Sequence, residues 1–313
     1  MDVVVFVVAM AALVYGADFI IKEAEKIAIH FDIPHFIIGA TIVGFGTSLP
    51  ELAGSVSATL KDSDDIAVAN AVGSNIFNIA LVLGLTFLIA KKIEPKRDVF
   101  AKDSAWILFP IVAFILTAYD GEFSRIDGVL LLIMMGAYIL FLLKDARDDI
   151  AELDIDESEV KNSFGWFKAI SLLLVGFVLV VGGADFAIDS ASNIAYGFGI
   201  SEWIVGIFLV AFGTSLPELV VSIQAARKNN ADMSIGNIIG SNISNIFVVI
   251  GGAALVSPLS FNLQANIYDV MLMVFVTIML VFIAATRLYN KSAGIGLLVI
   301  FALLILHNVE QYL

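Results

Sequence analysis

The 313-residue sequence contains no cysteine, which excludes disulfide scaffolds, thiolate metal sites and cysteine nucleophiles together. Histidine is nearly missing as well. Its three copies, His30, His35 and His307, fall at the ends of apolar runs, where an interfacial position suits imidazole better than a proton relay. Charge is scarce at 15%, against about 25% in an ordinary soluble domain. The 17 basic residues form no long run, so nothing offers a footprint for nucleic acid. What is abundant is apolar sequence: 60% of residues are hydrophobic and the mean hydropathy is +0.97. A soluble core of this size would lack the polar surface to cover it, so the natural solvent is lipid. The formal charge of −13 points to acid held in loops and at span ends. The start, Met1-Asp2-Val3-Val4, lacks the positive region of a signal peptide and reads as part of a retained helix.

A membrane helix needs about 20 mainly apolar residues. Scanning between charge and turn clusters predicts ten spans, near 3–28, 35–60, 66–90, 104–119, 126–143, 167–194, 202–226, 233–256, 265–286 and 293–311. Numbered in order, the odd-to-even loops and adjoining span ends hold all of the 17 bases except Lys61 and Arg125. One missed or invented span would scramble that asymmetry, which supports the count and places these loops in the cytoplasm. Both termini then face outward. The segment 144–166 carries Asp145, Asp148, Asp149, Glu152, Asp154, Asp156, Glu157 and Glu159, and reads as a solvated cytoplasmic linker between two membrane halves, 1–143 and 167–313.

The halves are copies of one another. Gly16-Ala17-Asp18-Phe19 returns as Gly183-Ala184-Asp185-Phe186, and Gly46-Thr47-Ser48-Leu49-Pro50-Glu51-Leu52 returns as Gly213-Thr214-Ser215-Leu216-Pro217-Glu218-Leu219. Gly73-Ser74-Asn75-Ile76 and Asn78 return as Gly240-Ser241-Asn242-Ile243 and Asn245. Every pair is 167 positions apart, and from Gly16 to Gly84 about half of the positions are identical without a gap. Five spans separate each residue from its copy, and five is odd, so the second half crosses in the opposite sense. Inverted repeats of this kind are typical of secondary transporters, whose sites lie near the midplane where broken helices of the two halves meet. The expected architecture is therefore all-α, with ten transmembrane helices in two inverted repeats of five, and helices 2, 3, 7 and 8 discontinuous around an ion site. Gly16-Ala17 and Gly182-Gly183 are expected to let the first and sixth helices slide past the central bundle.

Glu51 and Glu218 sit in the middle of the second and seventh spans. An acidic residue at that depth costs roughly 2.5–3.5 kcal/mol on insertion scales, so it calls for a polar interior and a partner. No Lys or Arg lies at matching depth in the repeat helices, which leaves a bound cation or a proton. Pro50 and Pro217 each precede the glutamate and cannot donate to the carbonyl four residues back, so oxygens near Gly46 and Thr47, and near Gly213 and Thr214, should be freed. Thr47 and Ser48 lie four and three residues before Glu51 on one face, as Thr214 and Ser215 do before Glu218. Ser74 and Asn78, like Ser241 and Asn245, share a face one helix on, whereas Asn75 and Asn242 point about 100° away and are expected to satisfy backbone groups. Asp18 and Asp185 are expected to be structural or to line an entry path. Carboxylate, hydroxyl, amide and carbonyl oxygens without nitrogen or sulfur suit Na⁺ or Ca²⁺ rather than zinc, copper or iron.

These motifs, Gly46–Glu51 with Gly73–Asn78 and their copies Gly213–Glu218 with Gly240–Asn245, resemble the two alpha-repeats of the sodium/calcium exchanger family, in its compact prokaryotic form. The resemblance covers the whole chain, with the alpha regions at 39–84 and 206–251. It implies electrogenic exchange of about three Na⁺ for each Ca²⁺ by alternating access. It implies that Glu51 and Glu218 are shared ligands, and that the carbonyls of Thr47 and Thr214 complete the calcium site. Ser48, Ser74, Ser215 and Ser241 would line sodium sites with the carbonyls of Gly44 and Ala211, and Asn78 and Asn245 would flank the centre. Several relatives and the potassium-dependent exchangers have aspartate where this chain has Asn245, which speaks against potassium co-transport. The proton-coupled branch has a Gly-Asn-x-x-Glu pattern in place of Gly-Thr-Ser-Leu-Pro-Glu, which speaks against proton coupling. A channel would not need a duplicated, inverted pair of carboxylate sites, and no nucleophile with a base or zinc motif suggests an enzyme. The implied partners are Ca²⁺, Na⁺ and the bilayer of the cell membrane, with no cofactor and no obligate protein partner.

Overall fold

Inside a bilayer no water can satisfy a free peptide group, so an apolar segment must close its hydrogen bonds internally as a helix. The computed structural model, which describes residues 2–90, 93–150, 165–197, 213 and 215–310, is all-helical apart from one two-residue ribbon. In chain order, α1 (Asp2–His30) is followed by α2 (His35–Ile38), a π-helical segment (Gly39–Val43), α3 (Gly44–Thr47) and α4 (Leu49–Thr59). Then come α5 (Asp64–Phe77), a second π segment (Asn78–Leu83), α6 (Gly84–Ile89), α7 (Val99–Thr117) and α8 (Arg125–Ile150). The second half contributes α9 (Trp166–Gly197), α10 (Leu216–Arg227), α11 (Ala231–Ser244), a third π segment (Asn245–Ile250), α12 (Gly251–Val256), α13 (Ile267–Thr286) and α14 (Lys291–Glu310).

Among the described residues, eight helical stretches are long and apolar enough to cross a membrane, and Lys291–Leu306 is apolar but shorter. Residues 198–212, which hold much of the expected seventh span, lie outside the described residues. Burial sorts the spans into two shells. In Asp64–Ile89 and Ala231–Val256, 78% of the apolar window is buried, and in His35–Thr59 61%; the remaining five lie between 28% and 39%. The duplicated motif segments therefore form the interior, and α1, α7, α8, α9 and α13 turn an apolar face outward.

Glycines set how closely the inner helices approach. A Cβ on Gly236 would lie 2.3 Å from the Phe36 carbonyl oxygen, and one on Gly240 2.3 Å from that of Ala40, so α11 packs backbone to backbone on α2 and the first π segment. At the periphery, a Cβ on Gly16 would lie 2.8 Å from the Gly176 carbonyl oxygen, and one on Gly183 3.0 Å from that of Ala9. Gly16 and Gly183 thus join α1 and α9 to each other, whereas the sequence pattern suggests contact with the central bundle; Gly182 has no described atom within 4 Å of such a Cβ.

Two element boundaries differ from the sequence reading for physical reasons. Helix α7 begins at Val99, five residues before the expected 104, because the Asp98 side chain caps it by accepting from the Ala101 amide at 3.0 Å. Asp103, one residue before the expected start, is fully buried and accepts a two-pronged pair of bonds from Arg97 at 2.6 and 2.9 Å. Helix α8 runs on to Ile150, so positions 144–150 of the expected linker are helical; 151–164 lie outside the described residues.

Arg97 also binds Asp145 on α8 and stacks over Phe36 of α2 at 4.5 Å, while the Lys96 and Arg97 amides donate to Asp232 of α11 at 3.2 and 3.0 Å. Burial alone would lower the Arg97 guanidinium, but Asp103 and Asp145 outweigh it and hold its pKa above the usual range. Beyond the far end of α7, Glu122–Phe123 (β1) pairs antiparallel with Leu259–Ser260 (β2).

Candidate cation site

The second span does not run straight through. Ser48 has φ −86° and ψ 6°, which ends α3 and starts α4, with Pro50 in the first turn of the new helix, where its missing N–H leaves no gap. Ser215, with φ −88° and ψ 1°, stands in the same relation to α10 and Pro217. Glu51 and Glu218 consequently occupy the first turns of α4 and α10, at the positive ends of those helices. Both are fully buried. No described Lys or Arg pairs with either.

Neutral oxygens gather around them from both halves. The Ser48 hydroxyl donates to Glu218 Oε1 at 3.3 Å. Thr47 Oγ1 lies 3.3 Å from Ser241 Oγ and donates to the Gly44 carbonyl at 3.2 Å; Ser241 Oγ donates to the same carbonyl at 3.1 Å. Among the described residues, several buried polar atoms have no hydrogen-bond partner: both oxygens of Glu51, Oε2 of Glu218, the Ser215 hydroxyl, both ends of the Asn78 amide and Oδ1 of Asn245. Buried polar atoms are nearly always bonded, so a cluster of orphaned oxygens marks a place where something else binds. Asn78 and Asn245 open the second and third π segments, a geometry that concentrates at functional sites.

Of the twelve residues proposed from the sequence, Gly44, Thr47, Ser48, Ser215, Ser241, Glu51, Glu218, Asn78, Asn245 and Ser74 are buried. Direct hydrogen-bond contacts join Gly44, Thr47 and Ser48 to Ser241 and Glu218 across the two halves. Thr214 and Ala211 lie outside the described residues. Asp18 is paired with bases: it binds Lys22 at 2.7 Å and Lys228, just past α10, at 2.5 Å. Asp185 is exposed, His30 packs edge-on to Phe31 at a helix end, and the His307 side chain lies outside the described residues. Asn75 departs from expectation. Its backbone carbonyl does accept from Asn242, at 3.4 Å, but its side-chain oxygen accepts from Asn245 at 3.1 Å.

The motif reading overlooked a duplicated brace. Asn70 Nδ2 donates to the Glu51 carbonyl at 3.1 Å and to Ser55 Oγ at 3.0 Å, and Ser55 donates to the Ala67 carbonyl at 3.0 Å. Asn237 Nδ2 donates to Ser222 Oγ at 2.9 Å and to the Glu218 carbonyl at 3.5 Å, and its Oδ1 accepts from Thr47 at 3.3 Å. Ser55 and Ser222, and Asn70 and Asn237, are identical pairs at the 167-residue offset, which is the signal that marks them.

A family model described as sodium/calcium exchanger protein matches residues 1–144 and 168–309. An uncharacterised membrane protein of Methanocaldococcus jannaschii is 37% identical over 300 residues, spanning 96% of this chain and 95% of its own. The sodium/calcium exchanger MaX1 of Methanosarcina acetivorans is 29% identical over 335 residues, 95% of each chain. Among solved structures, that of the sodium-calcium exchanger NCX_Mj soaked with 10 mM Na⁺ and zero Ca²⁺ aligns with a TM-score of 0.83 at 34% identity, over 97% of each chain.

Proposed function

The chain belongs to the sodium/calcium exchanger family, and from that premise we propose that it is an electrogenic antiporter moving about three Na⁺ against one Ca²⁺ across the cell membrane. One observation carries this reading: two fully buried carboxylates without a basic partner among the described residues, set among hydroxyl, amide and carbonyl oxygens from both halves. Such a set offers a hard divalent cation its preferred ligands and two compensating charges.

In this reading Glu51 and Glu218 ligate Ca²⁺ directly and are shared with Na⁺. The carbonyls of Thr47 and Thr214 complete the calcium site. Ser48, Ser74, Ser215 and Ser241, with the carbonyls of Gly44 and Ala211, hold Na⁺, and Asn78 and Asn245 flank the centre. One Ca²⁺ neutralises two carboxylates, while three Na⁺ leave one net positive charge, so each cycle moves charge. Sharing of ligands keeps the two ions from travelling together. The Ser48–Glu218 hydrogen bond would give way when a cation takes that oxygen.

The architecture that serves this cycle is ten spans in two inverted five-helix repeats, 1–143 and 167–313, with discontinuous helices 2, 3, 7 and 8 meeting at the ions, both termini outside and the linker 144–166 in the cytoplasm. Inverted halves can exchange conformations, so one packing opens the site outward and the exchanged packing opens it inward. The close contact of α1 with α9 through Gly16 and Gly183 supports these two helices moving as one unit against the buried core.

Vesicles loaded with Na⁺ and diluted into Na⁺-free medium containing ⁴⁵Ca²⁺ should accumulate calcium. E51Q and E218Q should each lower that uptake by roughly two orders of magnitude, the scale of a lost charged ligand. Wild-type uptake in either variant would contradict the site assignment.

A further inference from the structure

A carboxamide has two unlike ends: its oxygen can ligate a hard cation, and its NH₂ can only repel one. Which end faces a site is decided by what the other end is bonded to. Asn245 is fully buried, and its Nδ2 donates to Asn75 Oδ1 at 3.1 Å. Its own Oδ1 has no partner among the described residues. Asn75, 3% exposed, has its Nδ2 3.8 Å from Met273 Sδ, and a thioether is a weak acceptor, so the contact with Asn245 is its strong side-chain bond. The equivalent pair in the other half, Asn242 with Asn78, is not made: the Asn242 oxygen and both ends of Asn78 lack partners among the described residues. Only one of the two duplicated amides is held from behind by its neighbour.

We propose that Asn75 is a positioning residue that turns the Asn245 carboxamide so that its oxygen faces the transported cations. The inference rests on the exchange reading above and refines it. Asn75 touches no ion; it takes up the NH₂ that would otherwise be free to swing into the site. At position 245 asparagine can serve as a ligand only while this acceptor stands behind it. A carboxylate there would need no such help, since its two oxygens are equivalent.

That difference supplies the test, read as the KM and Vmax of Na⁺-driven ⁴⁵Ca²⁺ uptake in vesicles. N75L removes the acceptor at similar volume and should raise the KM for Ca²⁺ about fivefold or more, with Vmax within about twofold of native, the scale of one lost hydrogen bond. Introduced into N245D, the same N75L change should alter KM less than about twofold. N75D keeps an oxygen for the Asn245 NH₂ and should stay within about twofold of native; if N75L is not recovered folded, a rise of about fivefold or more in N75D overturns the proposal by itself. An unchanged KM in N75L, an equal rise in both backgrounds, or a rise in N75D as large as in N75L would overturn the proposal. Native uptake that ignores Na⁺, or E51Q retaining it, would instead sink the exchange reading on which this one stands.

Discussion

Glu51 and Glu218 are held by their backbones as well as by their surroundings. The Asn70 and Asn237 amides each bridge a glutamate carbonyl to a serine one turn further on, so the start of α4 and of α10 is braced from the neighbouring helix. Asn237 does more, since its Oδ1 also accepts from Thr47 of the opposite half. N237A would take the donor from the Ser222 hydroxyl and one acceptor from Thr47, which keeps the Gly44 carbonyl, and should cost about 1–3 kcal/mol of stability, read as a lower thermal midpoint of the purified protein in detergent. S222A should cost less, since it removes a small hydroxyl and leaves the other Asn237 bonds in place. At this scale much was legible beforehand. An acid in an apolar run with proline before it, repeated 167 positions on, marks Glu51 and Glu218 without a structure. The braces repeat at the same offset but carry no such oddity of composition, because asparagine and serine in a membrane helix look like ordinary packing or polar filler. The Asn75–Asn245 bond joins different halves at different repeat positions, and no periodicity within one helix can reveal it.

Between elements, close approach does the positioning. Gly236 and Gly240 let α11 lie backbone against backbone on α2 and the π segment after it, which brings Ser241 within reach of Gly44 and Thr47. In G240A the new methyl would stand 2.3 Å from the Ala40 carbonyl oxygen, so the helices must separate. Overpacking of that kind costs roughly 1–3 kcal/mol, and here it also pulls the Ser241 hydroxyl away from its partners, so calcium uptake should fall along with the thermal midpoint. Its repeat mate is the control: a Cβ on Gly73 has no described atom within 4 Å, and G73A should behave nearly as native in both assays. Sequence identity between repeats does not imply equal packing in one conformation. The π segments were not readable, since Gly39–Val43, Asn78–Leu83 and Asn245–Ile250 are apolar stretches whose composition suits an ordinary helix equally well. The break at Ser48 was readable, because a proline two residues later removes the donor that would have continued the run, and Ser215 precedes α10 with the same proline spacing.

Across the whole molecule, the described helices divide into a more buried set that carries the duplicated motifs and a more exposed apolar set, and one unduplicated cluster fastens parts of both. Arg97 binds Asp103 and Asp145 while its chain neighbourhood grips Phe36 and Asp232, so the loop before α7 ties four separate helices together. R97M would strand the fully buried Asp103 and leave Asp145 only its bridge to Lys102 at 3.2 Å, and removing one partner of a buried pair typically costs about 3–5 kcal/mol. The expected result is a large drop in the thermal midpoint, partly restored in R97M/D103L, where the stranded acid is gone too. The membrane class and the repeat were plain from composition and the constant offset. The Arg97 cluster was not, since its partners lie 6, 48 and 135 positions away and neither half repeats it.

Coupling is the central claim, and calcium flux measured under separately imposed gradients tests it most directly. With vesicles of the native protein, ⁴⁵Ca²⁺ uptake should follow an outward Na⁺ gradient and respond to an imposed membrane potential, because each cycle moves net charge. It should be unchanged by adding K⁺ under a clamped potential and should not arise from a pH gradient alone. Uptake that ignores Na⁺ and follows the pH gradient, or that requires K⁺, would contradict the account.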